Sequence, residues 1–263
     1  MSLPICVQCG VQYAGPRDDC PICTDERQYV RWDGQEWTTL EELRRDHRNR
    51  IEEEGPGLWG IGTEPAFAIG QRALLLQAPG GNVLWDCVTL IDDATIARVH
   101  QLGGIAAIAI SHPHYYSGVA EWSRAFGDVP VYLHAADRQW APRSDNVVFW
   151  EGDTLAIGGG ITLLNCAVHF AGGTVLHWAG APGGALLSGD ILQVVMDRRY
   201  VSFMYSYPNL IPERPDTVRR AVKLTEPYPF ARIYGAWWGR IVPSDAKAAL
   251  HRSASRYLST IEG

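Results

Sequence analysis

Two histidines, His112 and His114, stand two residues apart at the end of an apolar run, residues 104–111, in this chain of 263 residues. The run is typical of a buried strand, and alternate residues of an extended segment point to the same face. Imidazole is a common ligand of zinc and iron. We therefore predict that both side chains bind one metal ion at the carboxyl end of this strand.

Two further candidate ligands follow along the chain. His169 comes after a strand-like run, and Asp190 ends the strand-like segment 185–190. Three imidazoles and one carboxylate suit zinc or iron and leave room for water or substrate. Water activated by such an ion is a nucleophile near neutral pH. The pattern therefore predicts a catalytic metal site.

The order of these residues resembles that of the metallo-β-lactamase superfamily, from about Gly60 to the C-terminus. The family motif HxHxDH reads His-Pro-His-Tyr-Tyr-Ser here, with Tyr116 in place of the aspartate and Ser117 in place of the last histidine. The late segment 232–238, where the family has its final ligand, contains no histidine. The resemblance therefore implies one complete metal site, made by His112, His114, His169 and Asp190.

The resemblance also implies a metal-dependent hydrolase that attacks an ester, thioester or lactone-type bond with one metal ion. The family's motif aspartate orients or deprotonates the attacking water, but Tyr116 is a phenol with an ordinary pKa of about 10 and is a poor base. We expect Tyr116 to donate a hydrogen bond to the developing oxyanion, or to ligate ferric iron. Asp190 and His134 complete the catalytic candidates; His134 ends a strand and either supports the site or has no role there.

Three other functions stay open. His112, His169 and Asp190 also form the two-histidine, one-carboxylate set of a mononuclear non-haem iron oxygenase, as in iron sulfur-dioxygenases of the same superfamily. A nuclease like the RNA-processing members of the superfamily would need two metals and a basic groove. A catalytically degenerate binding protein with the same fold would need no active metal site.

Four cysteines near the N-terminus form a second metal-ligand pattern, C-x2-C-x10-C-x2-C. Thiolates at this spacing predict a structural zinc ion, or iron in a rubredoxin-like module. Gly10 follows a cysteine where a tight turn needs an unhindered backbone. We interpret this zinc ribbon as an inert folding module rather than a nucleic-acid or protein contact. The predicted ligands are Cys6, Cys9, Cys20 and Cys23.

Composition and charge limit the function classes. The chain is 46% hydrophobic and 20% charged. Its net charge of −6 argues against nonspecific electrostatic binding of nucleic acid. Its start lacks the basic and apolar regions of a signal peptide, and no apolar stretch reaches the roughly 18 to 20 residues of a membrane span. We therefore expect a cytoplasmic protein with a small-molecule substrate and no membrane contact; no motif indicates its oligomeric state.

The predicted elements give an α+β fold class. We expect the ribbon over 1–37 with a strand at 28–32, a helical linker over 38–57 and a metallo-β-lactamase-like domain over 58–263. Helix is predicted over about 38–54, and the run 147–150 is assigned with 154–157 and 161–165 to the second of two sheets. Two sheets packed face to face with helices outside make the four-layer αβ/βα sandwich that the resemblance implies.

Other residues are candidates for the pocket at the edge of this sandwich. Trp237 and Trp238 stand where the family has its last metal ligand, so one of them either roofs the vacated second site or simply packs in the core. The polar loop 206–209 is a candidate to reach over the substrate. Asp86 either orients a metal ligand or caps a strand.

Overall fold

Two β-sheets form the centre of the fold in the computed structural model, which describes residues 2–143 and 145–263. The chain begins with a short module that a two-stranded sheet closes. The elements of this part are β1 (Ile5–Cys6), α1 (Pro21–Thr24), β2 (Trp37–Thr38) and α2 (Leu40–Asp46). Strand β1 pairs antiparallel with β2. The strand predicted at 28–32 is absent, because that run forms turn and loop.

The first large sheet has seven strands in the order in which they occur along the chain. They are β3 (Arg48–Gly55), β4 (Leu58–Glu64), β5 (Arg72–Leu76), β6 (Val83–Trp85), β7 (Ala107–Ala109), β8 (Val131–His134) and β9 (Val147–Trp150). Strands β3 to β6 are antiparallel, and β6 to β9 are parallel. The assignment of 147–150 to the second sheet is therefore wrong, since β9 pairs with β8.

The helix predicted over about 38–54 is also wrong beyond Asp46. A capping box of Thr39 and Glu42 starts α2, but His47 ends it and residues 48–55 form edge strand β3. The charges of this segment suit an exposed helix face, and the same charges suit a strand at the edge of a sheet. Pairing with β4 across the turn at 55–58 decided between the two, because tertiary contacts override local propensity.

The second large sheet has six strands, β10 (Thr154–Gly158), β11 (Ile161–Asn165), β12 (Thr174–Trp178), β13 (Ala185–Gly189), β18 (Arg232–Gly235) and β19 (Ile241–Val242). Two small hairpins lie between β13 and β18. The first pairs β14 (Gln193–Val194) with β15 (Val201–Ser202), and the second pairs β16 (Met204–Ser206) with β17 (Ile211–Pro212). Strand β18 pairs parallel with β13.

Four helices cover the outer faces of the two sheets. Helices α3 (Asp93–Gln101) and α4 (Val119–Ala125) share a buried cluster with the first sheet, and α5 (Pro215–Thr225) and α6 (Ala246–Glu262) share one with the second. The inward faces of the two sheets form a third cluster between them. This layer order confirms the predicted αβ/βα sandwich. None of the helices in the described ranges is long and apolar enough to cross a bilayer.

Strand β5 shows why the sheet must be covered on both faces. All five of its residues are buried, and successive side chains point to opposite faces. Leu74 and Leu76 contact the second sheet, whereas Leu75 contacts the cluster on the helix side. Each fully buried leucine contributes about 1.5 to 3 kcal/mol through the hydrophobic effect. A strand that is apolar on both faces from Ala73 to Leu76 is therefore stable only inside such a layered fold.

The N-terminal module packs into the domain and does not stand apart from it. Its four cysteines are buried in the same cluster as the helix-side face of the first sheet. The backbone N–H of Gln12 donates to Ser117 O (3.1 Å), and Thr89 Oγ1 donates to Gly10 O (2.8 Å). Gly10 has a φ of +78°, and a Cβ there would lie 2.4 Å from Thr89 Oγ1. The expected need for glycine at this turn is thus both conformational and steric.

Replacing Gly10 by alanine should destabilise the protein. The substitution combines an unfavourable φ with a clash, and we expect the free energy of unfolding to fall by about 1 to 3 kcal/mol. Urea denaturation would measure this change. Gly15→Ala is the matched control, because nothing lies within 4 Å of its added Cβ. Equal stabilities of the two variants would contradict the close packing of Gly10 against Thr89.

Candidate metal centre

The candidate ligands lie where strands of both sheets end. Strand β7 is parallel to β6 and leads to His112, and β13 is parallel to β18 and leads to Asp190. The two sheets meet at this edge, where the backbone N–H of Thr174 at the start of β12 donates to Ser111 O (2.9 Å), so segments far apart in sequence come together. His169 follows β11 in the loop before β12. The site therefore uses residues from both halves of the sandwich.

The prediction that His112 and His114 lie in one extended segment is wrong. His112 is extended, with a φ of −172°, but Pro113–Tyr115 forms a single 3-10 turn. Proline fits the first position of this turn because its φ is preset and it needs no N–H partner there. The turn places the two imidazole centroids 5.1 Å apart. The pair converges by a turn rather than by strand alternation.

His169 is held in an unusual backbone conformation by its neighbours. Its φ is +68°, a region that costs a residue other than glycine about 1 to 3 kcal/mol. Its backbone N–H donates to Glu213 Oε2 (2.8 Å), and its Nδ1–H donates to Tyr205 O (2.6 Å). The second bond fixes the tautomer with the proton on Nδ1. The lone pair of Nε2 is therefore free to bind a metal ion.

The ligand nitrogens of the three histidines converge, and the Asp190 carboxylate lies beside one of them. The three histidines each offer a nitrogen, and these nitrogens all lie within 4.8 Å of one another. His169 Nε2 is 3.2 Å from His114 Nδ1, and His112 Nε2 is 3.3 Å from Asp190 Oδ1. Ligands about 2.0–2.1 Å from a tetrahedral zinc ion would be roughly 3.3–3.4 Å apart. His112 Nε2 and Asp190 Oδ1 are buried without a hydrogen-bond partner. These residues therefore fit a bound metal ion.

Burial sets the protonation of the group. It lowers the pKa of His112 and His114 well below the ordinary value and that of His169 to about 4. Burial, assisted by nearby Asp86, raises the pKa of Asp190 to about 8. Neutral imidazoles are the form that binds a metal, and a cation next to Asp190 would favour its carboxylate again. The electrostatics of the site thus suit a cation.

Asp86 and Ser111 support the first ligand. Asp86 Oδ1 accepts the backbone N–H of Ser111 (2.8 Å), and Ser111 Oγ lies 2.9 Å from His112 Nδ1. A group that bonds Nδ1 directs Nε2 to the metal. Gly189 allows this arrangement, since a Cβ there would lie 2.9 Å from Ser111 Oγ. Of the two roles considered for Asp86, the contacts favour orientation of a ligand.

Tyr116 does not face the metal ligands as the sequence predicted, and Tyr115 lies beside them instead. Tyr116 is buried, lines no part of the cavity described below, and stacks on none of the three histidines. Tyr115 instead packs edge-on against His112 at 4.6 Å between centroids. Ser117 accepts a hydrogen bond from Gln71 Nε2 at 3.1 Å. The 3-10 turn decides which side chain faces the ligands, and motif alignment alone could not show this.

His134 lies apart from the metal ligands. Its Nε2 is 3.0 Å from Gly152 O, and its Nδ1 accepts the N–H of Ala136. The ring also packs edge-on against Trp150, with centroids 4.4 Å apart. Both nitrogens are therefore engaged in holding strand ends and a helical turn. The structure does not bring His134 to the catalytic group.

A cavity of about 350 Å³ opens beside His114, His169 and Asp190. Trp237 lines it and donates its indole N–H to Ile69 O (2.9 Å). Of the two alternatives, its position favours a side chain that covers the site over one that only packs in the core. Trp238 packs instead against the guanidinium of Arg50, 4.3 Å from the ring centroid. The two adjacent tryptophans thus have different environments.

The loop at 206–209 reaches the cavity, as expected for a substrate loop. Tyr207 and Pro208 line it, and the Tyr207 hydroxyl donates to the backbone carbonyl of Asp190 (2.5 Å). Asn209 continues to the N-terminal module, where its Nδ2 donates to Glu26 O (2.9 Å) and Gln28 O (3.1 Å). The loop therefore joins the metal centre to the module.

The N-terminal module supplies one wall of the cavity. Gln8, Gln28 and Tyr29 line it. Beside them, the guanidinium of Arg27 lies 4.0 Å from the ring centroid of Phe170, next to His169. The interpretation of the ribbon as an inert folding module stays a prediction, although the module borders the cavity. No local sequence pattern indicates this contact, because it depends on how the module docks.

The four cysteines of the module form a second group with metal-ligand geometry. One sulfur of each lies within 4.8 Å of the others, and the pairs Cys6–Cys23 and Cys9–Cys20 are 3.6 Å apart. Sulfurs about 2.3 Å from a tetrahedral ion would be roughly 3.8 Å apart. Gln35 Nε2 donates to Cys6 Sγ at 3.2 Å, a contact that stabilises a thiolate. The set fits a structural metal ion.

Comparison with known proteins agrees with this architecture. Residues 68–237 match the family described as the metallo-beta-lactamase superfamily. The chain belongs to this superfamily, and membership supports a metal-dependent hydrolase at the level of the superfamily.

Relatives with solved structures share the fold. The DIM-1 metallo-beta-lactamase is 14% identical, with a TM-score of 0.59 over 81% of this chain and 98% of that one. A metallo-beta-lactamase from Cronobacter sakazakii is 19% identical, with a TM-score of 0.52 over 81% and 95%. In sequence, the chain is 48% identical to "Uncharacterized protein YmaE" of Bacillus subtilis (strain 168), over 98% of this chain and 96% of that protein.

Metal content should distinguish the two candidate centres. We expect two ions per chain by elemental analysis, and one after the double substitution His112→Ala/His169→Ala, because the cysteine group remains. His100→Ala, at an exposed histidine of α3, is the control and should retain both ions. One ion in both the unsubstituted protein and the double variant would mean that the histidine group binds none.

Loss of the Ser111 hydroxyl should weaken the histidine site alone. We expect Ser111→Ala to lower its metal affinity by about 10- to 100-fold, because His112 loses the partner of Nδ1. Competition with a chromophoric chelator would measure the affinity. Ser123→Ala is the control, since this serine is equally buried and donates to Val129 O away from the site. An equal effect of both substitutions would refute the orienting role.

Proposed function

We propose that this protein is a hydrolase with one metal ion in its active site, and that it cleaves an ester, thioester or lactone-type bond. The observation that carries the proposal is the convergence of three neutral imidazoles, with Asp190 Oδ1 3.3 Å from His112 Nε2, beside a cavity large enough for a small molecule. When bound there, the ion would polarise a carbonyl group and make water more acidic. His112, His114, His169 and Asp190 would hold it.

The chain's own groups would guide the hydrolysis. Asp190 is the carboxylate that lines the cavity. We therefore propose that it acts as the base that accepts a proton from the attacking water. The water oxygen bonds to the carbonyl carbon, the bond to the alcohol or thiol breaks, and the proton passes to that leaving group. Tyr207 fixes the backbone of Asp190 through its hydroxyl. Tyr116 has no contact with the cavity in this structure, so the proposal gives it no role at the oxyanion.

The environment of the cavity favours a small molecule over a nucleic acid. The net charge of the chain is −6, and no arginine or lysine lines the cavity among the described residues. A phosphodiester substrate would ordinarily meet cationic side chains. The six free, buried cysteines also fit our proposal of a cytoplasmic protein, because reduced thiols persist in that compartment.

We propose zinc for both centres, with iron as the alternative at the histidine site. Zinc suits the full set of three imidazoles and a carboxylate. The same ligands accept Fe(II), so an oxygenase is a second outcome that metal analysis and oxygen uptake would reveal. A degenerate binding protein is the third outcome, and it corresponds to an empty histidine site.

Hydrolysis by the zinc-loaded protein would test the proposal directly. The panel is 4-nitrophenyl acetate, S-phenyl thioacetate and γ-butyrolactone. We expect Asp190→Asn to lower kcat/KM by about 100-fold or more per metal-loaded chain, because the amide cannot accept the proton. Asp153→Asn, at an exposed aspartate outside the cavity, is the control and should retain activity.

Metal content measured on the same samples separates the possible results. Unchanged activity of a loaded Asp190→Asn variant would remove Asp190 from the mechanism. Absence of hydrolysis with a loaded histidine site would reject the hydrolase proposal for these bond types.

A further inference from the structure

We propose that metal binding by the four cysteines strengthens metal binding at the histidine site, so that the N-terminal module controls the occupancy of the candidate active site. The proposal rests on metal binding by both groups and is independent of the bond that the protein cleaves. It assigns a positioning role to the loop at 205–209, which lies between the module and two of the candidate ligands. The module would then have a role beyond its own folding.

The loop at 205–209 holds two of the candidate ligands. The backbone carbonyl of Tyr205 accepts the Nδ1–H of His169 (2.6 Å), a bond that directs the other ring nitrogen to the metal. The hydroxyl of Tyr207 donates to the backbone carbonyl of Asp190 (2.5 Å). Loss of a group that orients a ligand ordinarily lowers metal affinity by about 10- to 100-fold. Displacement of this loop would therefore weaken the histidine site.

The module binds the same loop from the other end. Asn209 Nδ2 donates to Glu26 O (2.9 Å) and Gln28 O (3.1 Å), and the Tyr205 hydroxyl donates to the carboxylate of Glu26. Glu26 and Gln28 lie three and five residues after Cys23, the last of the four cysteines. The position of these partners of the loop thus depends on the segment that Cys23 anchors.

The module also contacts the segments on both sides of the histidine site. The backbone N–H of Gln12, which lies between the two cysteine pairs, donates to Ser117 O (3.1 Å). Ser117 comes three residues after His114. The guanidinium of Arg27 packs over Phe170, the residue after the third histidine, 4.0 Å from the ring centroid. Docking of the module therefore restrains the turn and the loop that carry the histidines.

The module depends on its metal ion to keep this position. Up to Thr38 its regular elements are two strands of two residues each and one helix of four. Its four buried sulfurs lie within 4.8 Å of one another. In so small a unit, the free energy of metal binding is also the free energy of folding. Loss of the ion would release the contacts with the loop and the turn.

The two metal groups are therefore coupled through two states of the module. In the first state the module is loaded and docked, and it fixes the groups that orient the histidine site. In the second state the module is metal-free and undocked, and these groups are released. An ion at the histidine site favours the first state, because its ligands are oriented only there. We expect this coupling to change the affinity of the histidine site by about tenfold.

Titration with cobalt(II) would measure the coupling in the full chain. Thiolate ligands give charge-transfer absorption that imidazole and carboxylate ligands lack, so the two groups can be followed separately. We expect Cys9→Ser/Cys20→Ser, which removes two of the four thiolates, to lower the cobalt affinity of the histidine site by about tenfold. Thermal unfolding would show that the two-sheet domain remains folded. Equal affinities in the unsubstituted protein and in the folded variant would overturn the proposal.

Asn209→Ala tests the route through the loop without touching any candidate ligand. The cysteine group should remain loaded, while the affinity of the histidine site falls about fivefold through the lost hydrogen bonds. Combined with Cys9→Ser/Cys20→Ser, the loss should be smaller than the product of the two separate losses, because both changes act through one loop. A loss equal to that product would overturn the coupling through the loop.

Asn146→Gly is the matched control for this route. Asn146 is exposed like Asn209, and its side chain donates to Ser123 Oγ (3.2 Å) and Asp128 Oδ1 (3.0 Å), which belong to neither the module nor the loop. Glycine suits the φ of +58° at this position. The control should keep the affinity of both groups. An equal effect of Asn209→Ala and Asn146→Gly at the histidine site would overturn the positioning role of the loop.

Failure of this inference is distinct from failure of the hydrolase proposal, because metal affinity is measured whether or not an ester is cleaved. A loaded histidine site that hydrolyses nothing, yet loses affinity in Cys9→Ser/Cys20→Ser, would support the coupling and reject the hydrolase. An active protein whose histidine site keeps its affinity in that variant would do the opposite. A histidine site that binds no metal in the unsubstituted protein would overturn both proposals.

Discussion

The convergence of three imidazoles, with the Asp190 carboxylate beside His112, at the edge where the two sheets meet is the interaction on which the site depends. Burial keeps the imidazoles neutral and opposes ionisation of Asp190, so the group is compatible with a cation and costly without one. The surrounding structure serves this arrangement. Ser111 and Tyr205 fix the orientation of two rings, and Glu213 holds the left-handed backbone of His169.

The N-terminal module borders the cavity of this arrangement. Its cysteines are buried with the first sheet, and its loop and exit segment reach the cavity beside the metal ligands. Asn209 connects the module to the loop that contacts Asp190. Two metal-binding groups with different ligand types are thus parts of one site. The histidine group would carry the chemistry of the proposed hydrolase, and the cysteine group lies in the module that borders its cavity.

Departure from the family motif has clear structural consequences. Where the family has a second set of metal ligands, this chain has Tyr116 and Ser117 within the buried interior and Trp237 over the cavity. The backbone of the module bonds to Ser117, so the position of the missing histidine now helps to dock the module. The altered motif and the added module are therefore structurally connected.

The sequence by itself determined the family, the layered fold and the residues that converge as ligands, because these depend on residue type, order and strand-like patterning. It did not determine strand β3, where exposed charges suit a helix and an edge strand equally, nor the sheet that contains β9. Tertiary structure alone decided that Tyr115 rather than Tyr116 faces His112, that His134 lies elsewhere, and that Gln28 lines the cavity. Each of these depends on a turn or on a contact between segments that are distant in sequence. Local sequence patterns do not predict such contacts.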